Sequence, residues 1–171
     1  MALPSCSAPR VLTPLYLKSH YLEHAGIDWL VVLKSTPELF ALSGEEFIDR
    51  FLVRALRPSV VVEGHDFNFG RDRTGTLDKL QYLGAEKGFE VRVVEAENVT
   101  LSTGRTTRVS STLIRDLLEA GDVADAELAL GKPYRLIGRI IPGHGKGRQL
   151  GFPTANLERT EQIVPAHGVY A

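Results

Sequence analysis

The sequence predicts an α/β protein, a parallel sheet covered by helices, followed by a smaller β segment. Short apolar runs alternate with stretches of helical length, the order expected of strands joined by crossover helices. The three strongest runs, residues 28–34 (DWLVVLK), 59–64 (SVVVEG) and 89–95 (FEVRVVE), are continuous rather than alternating, as strands covered on both faces require. After Pro133 the helical period stops, and glycines and prolines separate β-type runs, which places a boundary near residues 131–134.

The elements follow in order. Residues 1–12 lack periodicity and read as irregular. Residues 15–25 (LYLKSHYLEHA) form a helix that Gly26 stops, and 28–34 form the first strand. Residues 35–56 hold a short helix and a longer one. Ser43 and Glu46 have capping-box spacing, and Phe47, Phe51, Leu52 and Leu56 share one apolar face. The second strand, 59–64, ends in a glycine loop; 75–88 is a helix closed by Gly88, and 89–95 is the third strand. Residues 99–110 suit a small strand pair. Two helices follow at 110–121 and 122–131, the first stopped by Gly121, and residues 134–143 and 167–171 read as β.

Composition excludes several functions. In 171 residues, 43% hydrophobic content is enough for a real core, and 20 Lys plus Arg against 21 Asp plus Glu leave a net charge of −1. No overall field draws the chain to nucleic acid or an anionic membrane. There is no apolar run of about 18 residues and hence no transmembrane helix. The first residues lack the basic and apolar regions of a secretory signal. The single cysteine, Cys6, forms no internal disulfide, which fits a cytoplasmic location.

Three stretches can carry chemistry. In residues 60–75 (VVVEGHDFNFGRDRTG) a strand runs into a loop, where ligands of open parallel sheets sit. Phe67 and Phe69 can stack on a flat ring, Asp66 and Asn68 can hydrogen-bond, and Arg71 and Arg73 suit phosphate. The plainer reading is a glycine turn with both rings buried and both arginines in solvent. In residues 108–116 (RVSSTLIRD), Ser110, Ser111 and Thr112 open a helix whose free N–H groups suit an anion, with Arg115 one turn along. The alternative is an ordinary cap. In residues 143–156 (GHGKGRQLGFPTAN), Gly143, Gly145 and Gly147 allow close approach to phosphates, and Lys146 and Arg148 add charge. Thr154 and Asn156 offer hard oxygens suited to Mg²⁺. This is no P-loop, because no Gly-Lys-Ser/Thr opens a helix; a flexible basic hairpin is the competing reading. His20 and His24 lie at i, i+4, a spacing that can bind metal, but with no third ligand evident they read as surface residues.

In this order the stretches resemble the bifunctional bacterial riboflavin kinase/FMN adenylyltransferase family, also called FAD synthetase. The likeness runs from about residue 10 to the end, through GHDFNFGRDRTG, VSSTLIRDLLEAGDVADAELALGKPYRLIGRI, GRQLGFPTANL and IVPAHGVYA. It implies a Rossmann-like nucleotidyltransferase domain over residues 1–131, lacking its N-terminal part, and the start of a flavokinase β-barrel over 132–171. The implied reactions are phosphorylation of riboflavin to FMN and adenylylation of FMN to FAD, with ATP as co-substrate and Mg²⁺. By position, Ser110, Ser111, Thr112 and Arg115 would hold ATP phosphates. Asp66, Phe67 and Asn68 would line the flavin/nucleotide cleft. Thr154 and Asn156 would bind the kinase's Mg²⁺–ATP, with Arg148 nearby. The family's His-x-Gly-His motif and kinase glutamate have no counterpart in these residues, so no catalytic residue is assigned. The resemblance thus implies a chain shortened at both ends, expected to make neither FMN nor FAD at a useful rate. The alternatives are a shortened, non-catalytic flavin- or nucleotide-binding module and a generic nucleotide-binding α/β domain.

Overall fold

Hydrogen bonding divides the predicted elements into those that close on themselves and those that need a neighbour. The computed structural model describes residues 10–149, 151–158 and 160–170, with Arg148 and Gln149 described by backbone alone. The chain forms two compact units, one of Met1–Leu30 with Asn98–Ala171 and one of Val31–Glu97.

In the first unit, α1 (Leu15–His24) starts after Pro14 and buries Leu17. Gly26, in the left-handed region, ends it where the sequence places the stop. The strand expected at 28–34 is not formed. Residues 27–36 are irregular, and Trp29 is 87% exposed. A strand needs a ladder partner for its N–H and C=O groups, and among the described residues this run has none; apolar composition alone supplies no hydrogen bonds.

The second unit is built from local caps and one parallel strand pair. α2 (Pro37–Ala41) is capped by Thr36, whose hydroxyl accepts from Leu39 N–H at 3.3 Å. α3 (Gly44–Phe47) carries the expected capping box: Ser43 N–H donates to Glu46 Oε2 at 2.7 Å, and Glu46 N–H to Ser43 Oγ at 3.2 Å. The chain continues as a π-helix over Ile48–Leu56, closing with Arg57 N–H on the Leu52 carbonyl at 2.6 Å. Wider turns shift a face spaced for 3.6 residues. Phe47, Leu52 and Val53 therefore pack inward, while Leu56, expected on that face, is 55% exposed.

β1 (Val60–Gly64) pairs in parallel with β4 (Glu90–Val94), with Val60 opposite Glu90 and Gly64 opposite Val94. Between them, β2 (Asn68–Phe69) pairs antiparallel with β3 (Gly75–Thr76), and α4 (Leu77–Lys87) makes the crossover. Ile48, Phe69, Leu80, Leu83 and Phe89 form this unit's core, with Val61 and Val91 packed against it. Val62 and Val94 are exposed, so cover on both faces, expected from the continuous runs, is not what β1 and β4 have. Alternate side chains of a strand face opposite ways, and the cluster lies against only one set.

The acid response of the capping box follows from its geometry. The Ser43 backbone N–H, then its hydroxyl, hold the Glu46 carboxyl below its ordinary range. A depressed folded value means the contribution is present above the unfolded value of about 4.3 and is lost as pH falls. Glu46→Gln should therefore be less stable than the parent near about pH 6, and the gap should narrow toward about pH 3. Urea unfolding of both proteins at the two pH values checks this; an equal gap at both refutes it.

Back in the first unit, β5 (Asn98–Thr100) and β6 (Thr106–Arg108) form the expected antiparallel pair. α5 (Ser111–Ala120) and α6 (Val123–Leu130) pack through Ile114, Leu118, Ala126 and Ala129, with Ile163 completing the core. The buried Asp125 carboxylate accepts from Ser102 N–H at 2.7 Å and Ser102 Oγ at 3.0 Å, tying α6 to the turn after β5. Of the β structure expected beyond Pro133, β7 (Ile140–Ile141) and β8 (Asn156–Leu157) pair antiparallel, flanking a short α7 (Lys146–Gln149). Residues 167–170 form no strand. The tie at this end is Gln162, 1% exposed. Its Nε2 donates to the Leu12 and Arg135 carbonyls at 3.1 and 3.0 Å, and its Oε1 accepts from Ile137 N–H at 2.9 Å.

Candidate functional site

Ser110 caps α5, its hydroxyl accepting from Leu113 N–H at 3.1 Å. The cap reading is therefore observed, and it leaves the first-turn N–H groups of Ser111 and Thr112 without a partner inside the helix. The same amphipathic helix buries Ile114 and Leu118 and so carries the next residue, Arg115, half-buried beside them. Arg115 Nε donates to the Arg10 carbonyl at 3.2 Å, which orients the guanidinium.

Ser111 and Arg115 line a cavity of about 350 Å³ within the first unit, together with Lys18 and Tyr21 of α1 and Lys132, Tyr134 and Arg135 after α6. Four basic residues, and no carboxylate, are among the lining residues. Lys132 Nζ sits 3.4 Å from the Tyr21 ring centre, a cation–π contact that holds the ammonium at the wall. Tyr134 O–H donates to the Ile163 carbonyl at 2.9 Å, and burial pushes its phenol up. Such a wall attracts an anion and offers it several charge-assisted hydrogen bonds. A second cavity in this unit, about 560 Å³, has Val123, Glu127, Leu136, Val164, His167 and Tyr170 among its lining residues. It lacks a cationic wall.

The loop of the second unit is divided between core and surface. Phe69 is 6% exposed and belongs to the core, so the expectation that it offers a stacking surface is corrected. Its ring lies against Gly75, where a side chain would collide with it, and against Gly44, where a Cβ would be in tight contact at 3.1 Å. Phe67 is half-buried and stacks on Phe69 at 5.5 Å with an 18° tilt. Asn68 is exposed and donates through Nδ2 to the Asp66 carbonyl at 2.8 Å, keeping Asp66, Phe67 and Asn68 in one turn. Arg71 and Arg73 are exposed. Glu63, at the carboxyl end of β1, went unnoticed in the sequence; burial there raises its carboxyl. A lone acid inside an apolar run was its only signal.

The glycine stretch, with a short helix at its centre rather than an open hairpin, does meet the two oxygen donors. Gly143 lies directly against the Asn156 side chain, where a Cβ would collide, and Gly147 lies against the Phe152 carbonyl, where a Cβ would also collide, with Thr154 in tight contact beside it. Phe152 N–H donates to the Gly147 carbonyl at 2.8 Å, closing the loop. Thr154 and Asn156 are exposed, and the Arg148 side chain lies outside the described residues. Ser110–Arg115 and Asp66–Asn68 belong to different units.

Comparison with known proteins gives a consistent result. The FAD synthetase family model matches residues 2–113, and the riboflavin kinase model matches residues 130–171. The bifunctional riboflavin kinase/FMN adenylyltransferase of Escherichia coli K12 is 38% identical over 164 residues, 96% of this chain and 51% of that protein. The proteins of the same name from Pseudomonas fluorescens and Haemophilus influenzae are 43% and 39% identical, over 85% and 96% of this chain and 45% and 52% of theirs. A solved structure named as a macrolide-efflux protein from Streptococcus pneumoniae superposes with a TM-score of 0.79 at 29% identity, over 93% of this chain and 49% of that one. Among the described residues, no helix is long and apolar enough to cross a membrane. The chain spans about half the length of the curated relatives it matches. With the FAD synthetase model matching residues 2–113, which include the Asp66–Asn68 loop and the Ser110–Thr112 helix start, and the riboflavin kinase model matching residues 130–171, which include the glycine stretch, this chain belongs to the FAD synthetase family and continues into a riboflavin kinase segment.

Proposed function

We propose that this chain holds ATP for the two steps of FAD biosynthesis, phosphorylation of riboflavin to FMN and adenylylation of FMN to FAD. The carrying observation is the wall of Lys18, Arg115, Lys132 and Arg135, free of carboxylates, beside the Ser110–Ser111–Thr112 helix start. Residues 1–131 serve as the Rossmann-like adenylyltransferase part and 132–171 as the start of the flavokinase barrel. Asp66, Phe67 and Asn68 line the flavin/nucleotide cleft. The partners are ATP, riboflavin and FMN rather than nucleic acid or membrane, and the location is the cytoplasm.

Neither reaction calls for a covalent enzyme intermediate. What the protein contributes is alignment of the attacking oxygen with the phosphorus and neutralisation of phosphate charge. Arg115, oriented through its Nε, presents its remaining N–H groups to a phosphate, and the Ser111 and Thr112 N–H groups add the helix-end dipole. In the kinase segment the residues fit a hard cation. Thr154 and Asn156 offer exposed side-chain oxygens beside the Gly143 and Gly147 backbone, and Arg148 lies in the same stretch. Bound there, Mg²⁺ would neutralise ATP phosphates.

Arg115→Ala tests the reading. One lost charged contact should weaken ATP binding roughly 10- to 100-fold, as ~1.5–3 kcal/mol implies. Titration calorimetry with Mg²⁺–ATP on the 171-residue chain reads the affinity, and far-ultraviolet dichroism reads the fold. Unchanged affinity in a folded variant would show that the helix start is a cap and nothing more.

A further inference from the structure

We infer that one turn of α1 is a binding site for a divalent transition-metal ion of the zinc class, ligated by His20, Glu23 and His24. The sequence shows two histidines at i, i+4; the helix brings in a third donor, Glu23, at i+3, so that all three share one face. One donor atom from each lies within 4.8 Å of the others. Around a tetrahedral ion at about 2.0–2.1 Å, neighbouring donors sit about 3.3 Å apart. Closing the site takes shifts of up to about 1.5 Å between donors, and all three side chains are exposed. The two imidazole rings already lie close together, with centres 4.1 Å apart and planes tilted by 57°.

One hydrogen bond within the helix sets the donor nitrogen of His24. His24 Nδ1 lies 2.8 Å from the His20 carbonyl oxygen. A carbonyl only accepts, so Nδ1 carries the proton and neutral His24 keeps its lone pair on Nε2. This is the outer hydrogen bond that metal-binding histidines ordinarily make, fixing tautomer and ring together. Two imidazole nitrogens and one carboxylate oxygen suit zinc, nickel or copper rather than Mg²⁺ or Ca²⁺, which prefer oxygen alone. Water completes the coordination of so exposed a site.

Zinc alone is the probe, titrated into the full chain in competition with a chromophoric chelator. The parent should bind one equivalent more than the His20→Ala/His24→Ala double variant; the comparison cancels any zinc held elsewhere. Glu23→Gln should keep the extra equivalent but bind it roughly 10-fold more weakly. Dichroism should show α1 retained in each variant, since exposed side chains are removed. Equal zinc stoichiometry and affinity in the parent and a folded double variant would overturn the site. Unchanged affinity in Glu23→Gln would overturn the three-ligand assignment.

Discussion

Gln162→Leu should destabilise the first unit by roughly 3–5 kcal/mol. Leucine is of similar size but removes three hydrogen bonds at once, leaving the Arg135 carbonyl and the Ile137 N–H without partners and the Leu12 carbonyl with only the long Tyr134 O–H contact at 3.4 Å. Each such buried group costs about 1–3 kcal/mol, with relaxation and water entry offsetting part of the sum. The new apolar contact does not compensate, because the site is built for an amide that both donates and accepts. Val11 N–H donates to the Glu161 carbonyl and Ile163 N–H to the Val11 carbonyl, so the strain should spread along these two segments. Urea unfolding gives the loss, and hydrogen exchange at Ile137 should rise with it. A change under about 1 kcal/mol would mean that the three segments hold together without the amide.

Gly70→Ala should destabilise the second unit by a comparable amount, roughly 3–5 kcal/mol. Gly70 has φ 72° and ψ 179°, a region open in practice only to glycine, so alanine is strained by about 1–3 kcal/mol. Its Cβ would also fall 2.5 Å from Gly44 N and 2.8 Å from Gly44 Cα, backbone that cannot rotate away, which adds about 1–3 kcal/mol of overpacking. The next residue, Arg71, donates its N–H to the Leu42 carbonyl at 2.7 Å, so a shift here pulls the loop bearing Asp66, Phe67 and Asn68 off its anchor. Gly64→Ala is the control. Its Cβ would meet only Asp66 Oδ1 at an ordinary 3.4 Å, and its effect should stay within about 1 kcal/mol. Equal thermal shifts for the two variants would show that the close approach at Gly70 carries no cost.

What could be read from the sequence alone depends on how far apart the interacting groups lie along the chain. The stops at Gly26, Gly88 and Gly121 and the Ser43–Glu46 box were legible because caps join residues three to five apart. The parallel pairing of β1 and β4 was legible because only a crossover helix fits the intervening length. The motif order placed the chain in its family. Tertiary structure decided the rest. Residues 28–34 have the composition of a strand, yet a ladder is made by a partner, and composition does not supply one. Phe67 and Phe69 are two apart in one loop, yet only the fold puts Phe69 under Gly44 and Gly75 and leaves Phe67 half-exposed. The cationic wall draws Lys18, Arg115 and Lys132 from segments about a hundred residues apart, and Gln162 joins Leu12 to Arg135 and Ile137. No local period marks such residues. Their roles arise from burial and convergence, which exist only once the distant segments have closed on one another.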